Sequence, residues 1–178
     1  FRAVPGGYGE GDRFLGVPVP AQRKLARRYY RTATLEDLAA LLDGEYHEER
    51  LTALFMVVHR REKAAGEEEK RALFELYRDR IERVNNWDLV DSSAPAVLGG
   101  FLLEHEEERG LLAEWAESGH LWRQRAAVLA TFAFIRQGRF EESQAKAFGY
   151  TRCHRCTGRG HQVGKRQVRS ASELEFKR

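Results

Sequence analysis

"TLEDLAALLDGEYHEERLTALFMVVHRREK", Thr34 to Lys63, contains two helical signals in thirty residues. Thr34 followed three places later by Asp37 has the form of a capping box, and Gly44 closes the short apolar run that begins at Leu35. A second, longer helix is expected from His47 to about Lys63. Its Leu51, Leu54, Phe55 and Val58 recur at the three- and four-residue spacing of one helical face. A tight connection between two amphipathic helices makes them antiparallel neighbours, with their apolar faces turned to a common core.

Helical periodicity continues on both sides, and the alternation of a half-buried strand is almost absent. Upstream, after the Gly-rich "PGGYGEGDRF", Pro20 sits where it can open a helix over "PAQRKLARRYYR". Downstream come "EEEKRALFELYRDR", a helix starting at Asn86, "EEERGLLAEWAES" and "LWRQRAAVLATFAFIRQG". The pairs begin near Thr34, Glu67 and Glu106, a spacing of about 33 to 39 residues, within the range of HEAT-like repeats. The expected fold is therefore all-α: a HEAT-like solenoid of stacked antiparallel helix pairs over residues 1–145. A compact bundle is the competing arrangement. The solenoid is preferred because the pairs recur in order with short connections.

Length and composition agree with one soluble domain. The chain has 178 residues, 42% hydrophobic and 32% charged, which suits a packed core. No run approaches the roughly 20 apolar residues of a membrane span. Opening on Phe1, the sequence reads as lacking its original start. Two cysteines do not make a disulfide framework, so a reducing, cytoplasmic setting is expected. The net charge of +3 divides unevenly. From Lys146 onward nine Lys/Arg face two Asp/Glu, about +7, which leaves about −4 on the preceding residues.

Charge also follows the pairs. Glu67–Glu69 and Glu106–Glu108 mark first helices, whereas Arg60, Arg61, Arg123, Arg125 and Arg136 lie on or beside second helices. A basic concave face with an acidic back would reconcile the acidic body with a polyanionic ligand. Ordinary solvated helix faces explain the same pattern equally well.

One stretch breaks the helical routine. In "NNWDLVD", Asn85 to Asp91, Trp87 and Asp91 are four residues apart and share a stripe with Val90, Ala94 and Leu98. A carboxylate on an apolar stripe either meets a structural need or performs a task. Asp88 is expected to complement the helix N-terminus, and Pro95 to kink the helix.

The same stretch carries a family resemblance. "YGEGDRFLGVPVPAQRKLARRY", "VNNWDLVDSSAPAVLGG" and "LWRQRAAVLATFAFIRQG" resemble, in order, the N-terminal region, central signature and following helix of the AlkD-like DNA alkylation repair glycosylases. The resemblance covers about residues 1–143. It implies excision of N3- or N7-alkylated purines from duplex DNA by cleavage of the N-glycosidic bond, without flipping the base out of the helix. It further implies that Asp91 is the catalytic carboxylate, that Trp87 is its aromatic partner, and that Arg125 contacts phosphate near the lesion. Such an enzyme needs no cofactor or metal and is expected to act as a monomer on double-stranded DNA. Read from the residues alone, the structural account comes first: Trp87 as a core aromatic, and Asp91 and Arg125 as a tether between helices. A non-catalytic helical-repeat module binding DNA or protein through its concave face is therefore the second function class.

After about Gln144 the resemblance stops. The tail is poor in apolar residues and rich in Gly and Arg, and no tryptophan follows Trp122. Relatives have a second active-site tryptophan in a further helical pair, for which this chain offers no counterpart. Residues 146–178 thus read as a disordered or non-native basic tail, following truncation or a frame change. Within it, Cys153, Cys156 and His161 have the opening spacing of a zinc knuckle, but Arg166 stands where the fourth ligand belongs, so no metal site is expected.

Overall fold

The computed structural model describes residues 3–7 and 9–139. The expectations for the tail, including Cys153, Cys156 and His161, lie outside the described residues. Within them the protein is all-α, and β structure is limited to a single bridge between Arg13 and Tyr46. The helices are α1 (Val19–Tyr29), α2 (Leu35–Leu42), α3 (His47–Lys63), α4 (Glu67–Asp79), α5 (Trp87–Ala94), α6 (Gly100–Glu104), α7 (Gly110–Glu117) and α8 (Leu121–Ile135).

Local chemistry sets several of these boundaries. The Asp37 N–H donates to Thr34 Oγ1 (3.1 Å) and the Thr34 N–H to Asp37 Oδ2 (2.9 Å), which completes the expected capping box of α2. Pro20 lies in the first turn of α1, where its missing N–H costs nothing. The third pair departs slightly from the sequence reading. Glu106–Glu108 form a 3-10 turn, and α7 begins only at Gly110.

Side-chain contacts order the helices into two layers. His47 at the start of α3 meets Asp88 at the start of α5, while Arg61 near the end of α3 meets Glu104 at the end of α6. These helices therefore run in the same sense. Asp91 meets Arg125, so α8 continues the row. Arg23 lies over Phe55, and Tyr30 packs on His59, which places α1 on the other side of α3 in the same sense. Helices α2, α4 and α7 run opposite and form the second layer. Arg60 near the end of α3 reaches both the Ala33 carbonyl before α2 and Glu69 at the start of α4. The helical-repeat expectation holds, with pairs α2/α3, α4/α5–α6 and α7/α8.

The core runs between the layers. Leu38, Leu54, Leu73, Leu89, Leu98, Leu102, Leu112 and Phe134 are fully buried, each contributing about 1.5–3 kcal/mol by leaving water. Phe74 of α4 stacks on Phe101 of α6 with centroids 4.1 Å apart.

Pro95 would leave a straight α-helix short of a hydrogen bond and crowd the preceding turn. The chain instead passes through a π-helical segment, Pro95–Gly99, between α5 and α6. Gly99 is required there because a Cβ would stand 2.3 Å from the Ala130 carbonyl oxygen of α8. Backbone-to-backbone approach at this point fixes how closely α8 lies against the helix that carries Asp91.

Candidate functional site

The site is built on the first turns of α5. Asn86 caps the helix, its Oδ1 accepting the Trp87 N–H at 2.8 Å. Leu89, Val90, Ser93 and Ala94 face the core. Trp87 and Asp91 do not. Trp87 is 43% exposed, and the Asp91 side chain 36%. This corrects the expectation that both sit on the buried stripe. Successive residues turn by about 100°, so Asp91 falls beyond the arc centred on Val90 and Ala94, and Trp87 projects from the helix end. The indole and carboxylate lie one turn apart on the accessible edge of α5, about 6 Å along the axis.

Arg125 of α8 holds the carboxylate from the side. Its Nε donates to Asp91 Oδ1 at 2.6 Å and its Nη2 to Oδ2 at 2.7 Å, a bidentate fork in which both partners stay partly exposed. Arg123 pairs with Glu82 at 2.6 Å, beside His120, the N-cap of α8, whose Nε2 is 3.1 Å from the same carboxylate. Arg136 follows the last turn of α8 and is exposed.

Arg60 and Arg61 stand apart from Arg125, which of the five arginines is the one that meets the Asp91 carboxylate. Arg60 forks Glu69 and bonds the Ala33 carbonyl. Arg61 is nearly buried and donates to Glu104, a carboxylate it shares with Lys70. Both stand at the opposite end of the layer from Asp91, on the order of 15 Å along the helices. Their charges tie α3 to α4 and α6.

Sequence reading missed what supports the site from beneath. His47 is 2% exposed and lies between two carboxylates, its Nδ1 3.3 Å from Asp12 Oδ2 and its Nε2 2.8 Å from Asp88 Oδ2. Asp12 also accepts from Arg50 Nη2 (2.5 Å) and Asn86 Nδ2 (2.9 Å). Burial opposes charge on the imidazole, but hydrogen bonds to both carboxylates outweigh it and push its pKa up to about 9. Asp12 is likewise opposed by burial, yet its partners hold it below the usual carboxylate range. Two anions and two cations thus balance where the N-terminal segment, α3 and α5 meet. Asp88 does more than complement a helix dipole: it anchors the first turn of α5, between Trp87 and Asp91. The available signal was Arg50, which falls on one helical stripe of α3 with the apolar Leu54 and Val57.

A second anchor fixes the N-terminal segment. The buried Glu48 carboxylate accepts the N–H groups of Leu15 (2.9 Å), Gly16 (2.8 Å) and Val17 (3.3 Å). Burial raises its pKa, and these donors more than reverse the effect. Gly16 adopts φ +79°, which favours a residue without a side chain.

Two partly exposed groups of opposite character, an indole and an arginine-held carboxylate, therefore stand together on a rigid helical layer. Among the described residues no group of His, Cys, Asp and Glu is arranged to hold a metal ion, and no helix is long and apolar enough to cross a membrane. This is a helical-repeat protein with an exposed indole and an arginine-paired carboxylate on its accessible edge. The DNA alkylation repair enzyme family model matches residues 2–148, and the chain belongs to that family. Comparison with curated proteins and with solved structures gave no match.

Proposed function

We propose that this protein is a DNA glycosylase that removes positively charged N3- and N7-alkylated purines from duplex DNA without extruding the base. The carrying observation is the accessible Asp91 carboxylate one turn from the exposed Trp87, fixed in orientation by Arg125.

The chemistry suits that geometry. An alkylated purine carries a positive charge, so its bond to deoxyribose is already weakened. As the bond breaks, positive charge moves to the sugar, and water then attacks the anomeric carbon. A carboxylate aimed at the sugar stabilises this oxocarbenium-like state, and stabilises it more where water is partly excluded. The base leaves as a neutral purine, which lessens the need for a general acid. The Trp87 face attracts cations and polarised sugar C–H groups. Arg125 would neutralise an adjacent phosphate and exchange part of its hold on Asp91 for the backbone. Arg123 and Arg136 extend phosphate contact along α8.

Release of 7-methylguanine from duplex DNA tests the reading. Asp91→Asn should lower the excision rate on the order of 10² or more while duplex affinity changes little. Undiminished excision by the variant removes Asp91 from the chemistry. A wild-type chain that binds duplex but releases no base leaves a non-catalytic binding module, with Asp91 and Arg125 as an interhelical tether.

A further inference from the structure

We infer that His47 is a positioning residue for the site: its imidazolium, bridging Asp12 and Asp88, holds the first turn of α5 so that Trp87 and Asp91 meet the substrate together, and excision weakens when that proton is lost. The inference rests on the proposed glycosylase reading and adds to it a residue that touches neither Asp91 nor the substrate.

The first turn of a helix is the part least held by its own hydrogen bonds, because its leading N–H groups have no partner within the helix. Helix α5 is short, begins at Trp87 and gives way to the π-helical segment at Pro95. Its start is therefore held from outside. Asn86 caps it, and Asn86 Nδ2 donates in turn to Asp12 Oδ2 at 2.9 Å. Asp88 supplies the second tie, its Oδ2 lying 2.8 Å from His47 Nε2. The other Asp88 oxygen is buried and has no hydrogen-bond partner among the described residues. The carboxylate thus depends on His47. Asp88 is gripped from α3 and Asp91 from α8, three residues apart on one short helix. Together the two grips fix the rotation of α5 about its axis, and with it the direction of Trp87.

The proton matters because of what surrounds the ring. A neutral imidazole has one N–H and one bare nitrogen. Here both nitrogens face carboxylates, at 3.3 and 2.8 Å, so only the doubly protonated ring donates to both. If the last proton serves Asp12, Asp88 is released. If it serves Asp88, Asp12 faces a lone pair while still holding the cap Asn86. Either way the start of α5 loses a tie. The charged groups facing the ring are Asp12 from the N-terminal segment, Asp88 from α5 and Arg50 from α3, with Arg83 close enough to oppose the charge of Arg50. The Phe14 ring lies against the imidazole with centroids 5.1 Å apart, and the buried position keeps water from replacing the lost bond. A cluster that only joined helices would do as well with apolar packing. Its place under the turn that carries Trp87 is what points to positioning.

Three quantities are followed in the wild-type chain between about pH 6.5 and 9.5. They are the His47 ring by ¹³C NMR, Trp87 by ¹⁹F NMR of protein made with 5-fluorotryptophan (assigned with Trp87→Phe), and single-turnover release of 7-methylguanine from duplex DNA, corrected for release without protein. The Trp87 signal and the excision rate should change with the His47 midpoint, near the raised value of about 9. Excision should fall by about tenfold or more. His47→Gln should be slow by the same factor already at neutral pH, without the alkaline fall, and keep duplex affinity within a few-fold. Asp88→Asn, which preserves shape, should also slow excision at neutral pH more than it weakens binding. Circular dichroism at the assay temperature shows which variants are folded; if His47→Gln is not, the wild-type titration and Asp88→Asn decide. A Trp87 signal that does not follow His47 overturns the positioning role. So does a folded His47→Gln that excises at the wild-type rate with only a lower melting temperature, or that keeps the alkaline fall. Wild-type protein that releases no base at any pH overturns the glycosylase reading instead, and the Trp87 titration then decides the role of His47 alone.

Discussion

Arg125 holds Asp91 through two nearly equal hydrogen bonds, 2.6 and 2.7 Å, yet both side chains remain about two-fifths exposed. An ion pair in that setting adds only about 0–1 kcal/mol to stability, because water screens it. Asp91→Asn should therefore shift the melting temperature by a few degrees at most while abolishing most excision. A fall in stability of several kcal/mol would mark the pair as structural. Arg125→Ala should weaken duplex binding and misorient the carboxylate. A double-mutant cycle on excision should then show strong coupling between the two residues, since each acts through the other.

Stability should fall in mild alkali. His47 is raised from 6.5 to about 9 in the folded protein. A raised folded pKa contributes stability that is complete below the unfolded value and is lost as pH rises through the folded one. The shift corresponds to on the order of 3 kcal/mol, declining between about pH 6.5 and 9. The groups facing the imidazole are Asp12, Asp88 and, through Asp12, Arg50 and Asn86. Denaturant unfolding across this window, compared with His47→Gln, checks the slope. The variant should lack that component and be less stable by about 3–5 kcal/mol at neutral pH, with Asp12 and Asp88 left short of a cation.

Gly99 and Gly100 are neighbours with opposite expected behaviour. Gly99→Ala drives a methyl into the Ala130 carbonyl and should cost about 1–3 kcal/mol or more, with α8 displaced and excision reduced. At Gly100 the nearest atom to an added methyl is Arg61 Nη2, at 3.6 Å. Gly100→Ala should be neutral or stabilising by up to about 1 kcal/mol, since it replaces a helical glycine. Thermal unfolding of the two variants decides the matter.

Glu48→Gln should loosen the segment that carries Asp12. The amide is neutral and retains one acceptor oxygen, so all three N–H groups of Leu15, Gly16 and Val17 lose a charged partner and at least one loses its acceptor, a cost of about 1–3 kcal/mol. Because the Glu48 pKa is depressed in the fold, its contribution is present above the ordinary carboxylate pKa and is lost as pH falls below it. Amide exchange over residues 13–17 should quicken in the variant at neutral pH. Unchanged exchange would show that the segment is held by other contacts.

The all-α class, the pairing of helices and many of their ends were legible in the sequence because they depend on neighbouring residues. Thr34 and Asp37 make their box within one turn, and the apolar spacing of α3 is a property of the helix itself. The likeness of residues 84–100 to a repair-enzyme signature pointed to the family that the match over residues 2–148 establishes. The side-chain environments were another matter. Periodicity gives the direction of Asp91 from its own helix axis, but not that α8 would stop short of covering it and meet it with a guanidinium. That depends on the approach of Gly99 to Ala130, between segments 31 residues apart in sequence. Nor could local pattern join Asp12 to His47 and Asn86, because charges distant in the chain become partners only when packing removes the water between them. The same principle separates the arginines. Arg60 and Arg61 found Glu69 and Glu104 across helix boundaries, whereas α1, at the end of the layer with no carboxylate in its reach of chain, kept its charges facing solvent. Sequence determined which faces were apolar; tertiary packing decided which charges were neutralised and which were left at the surface.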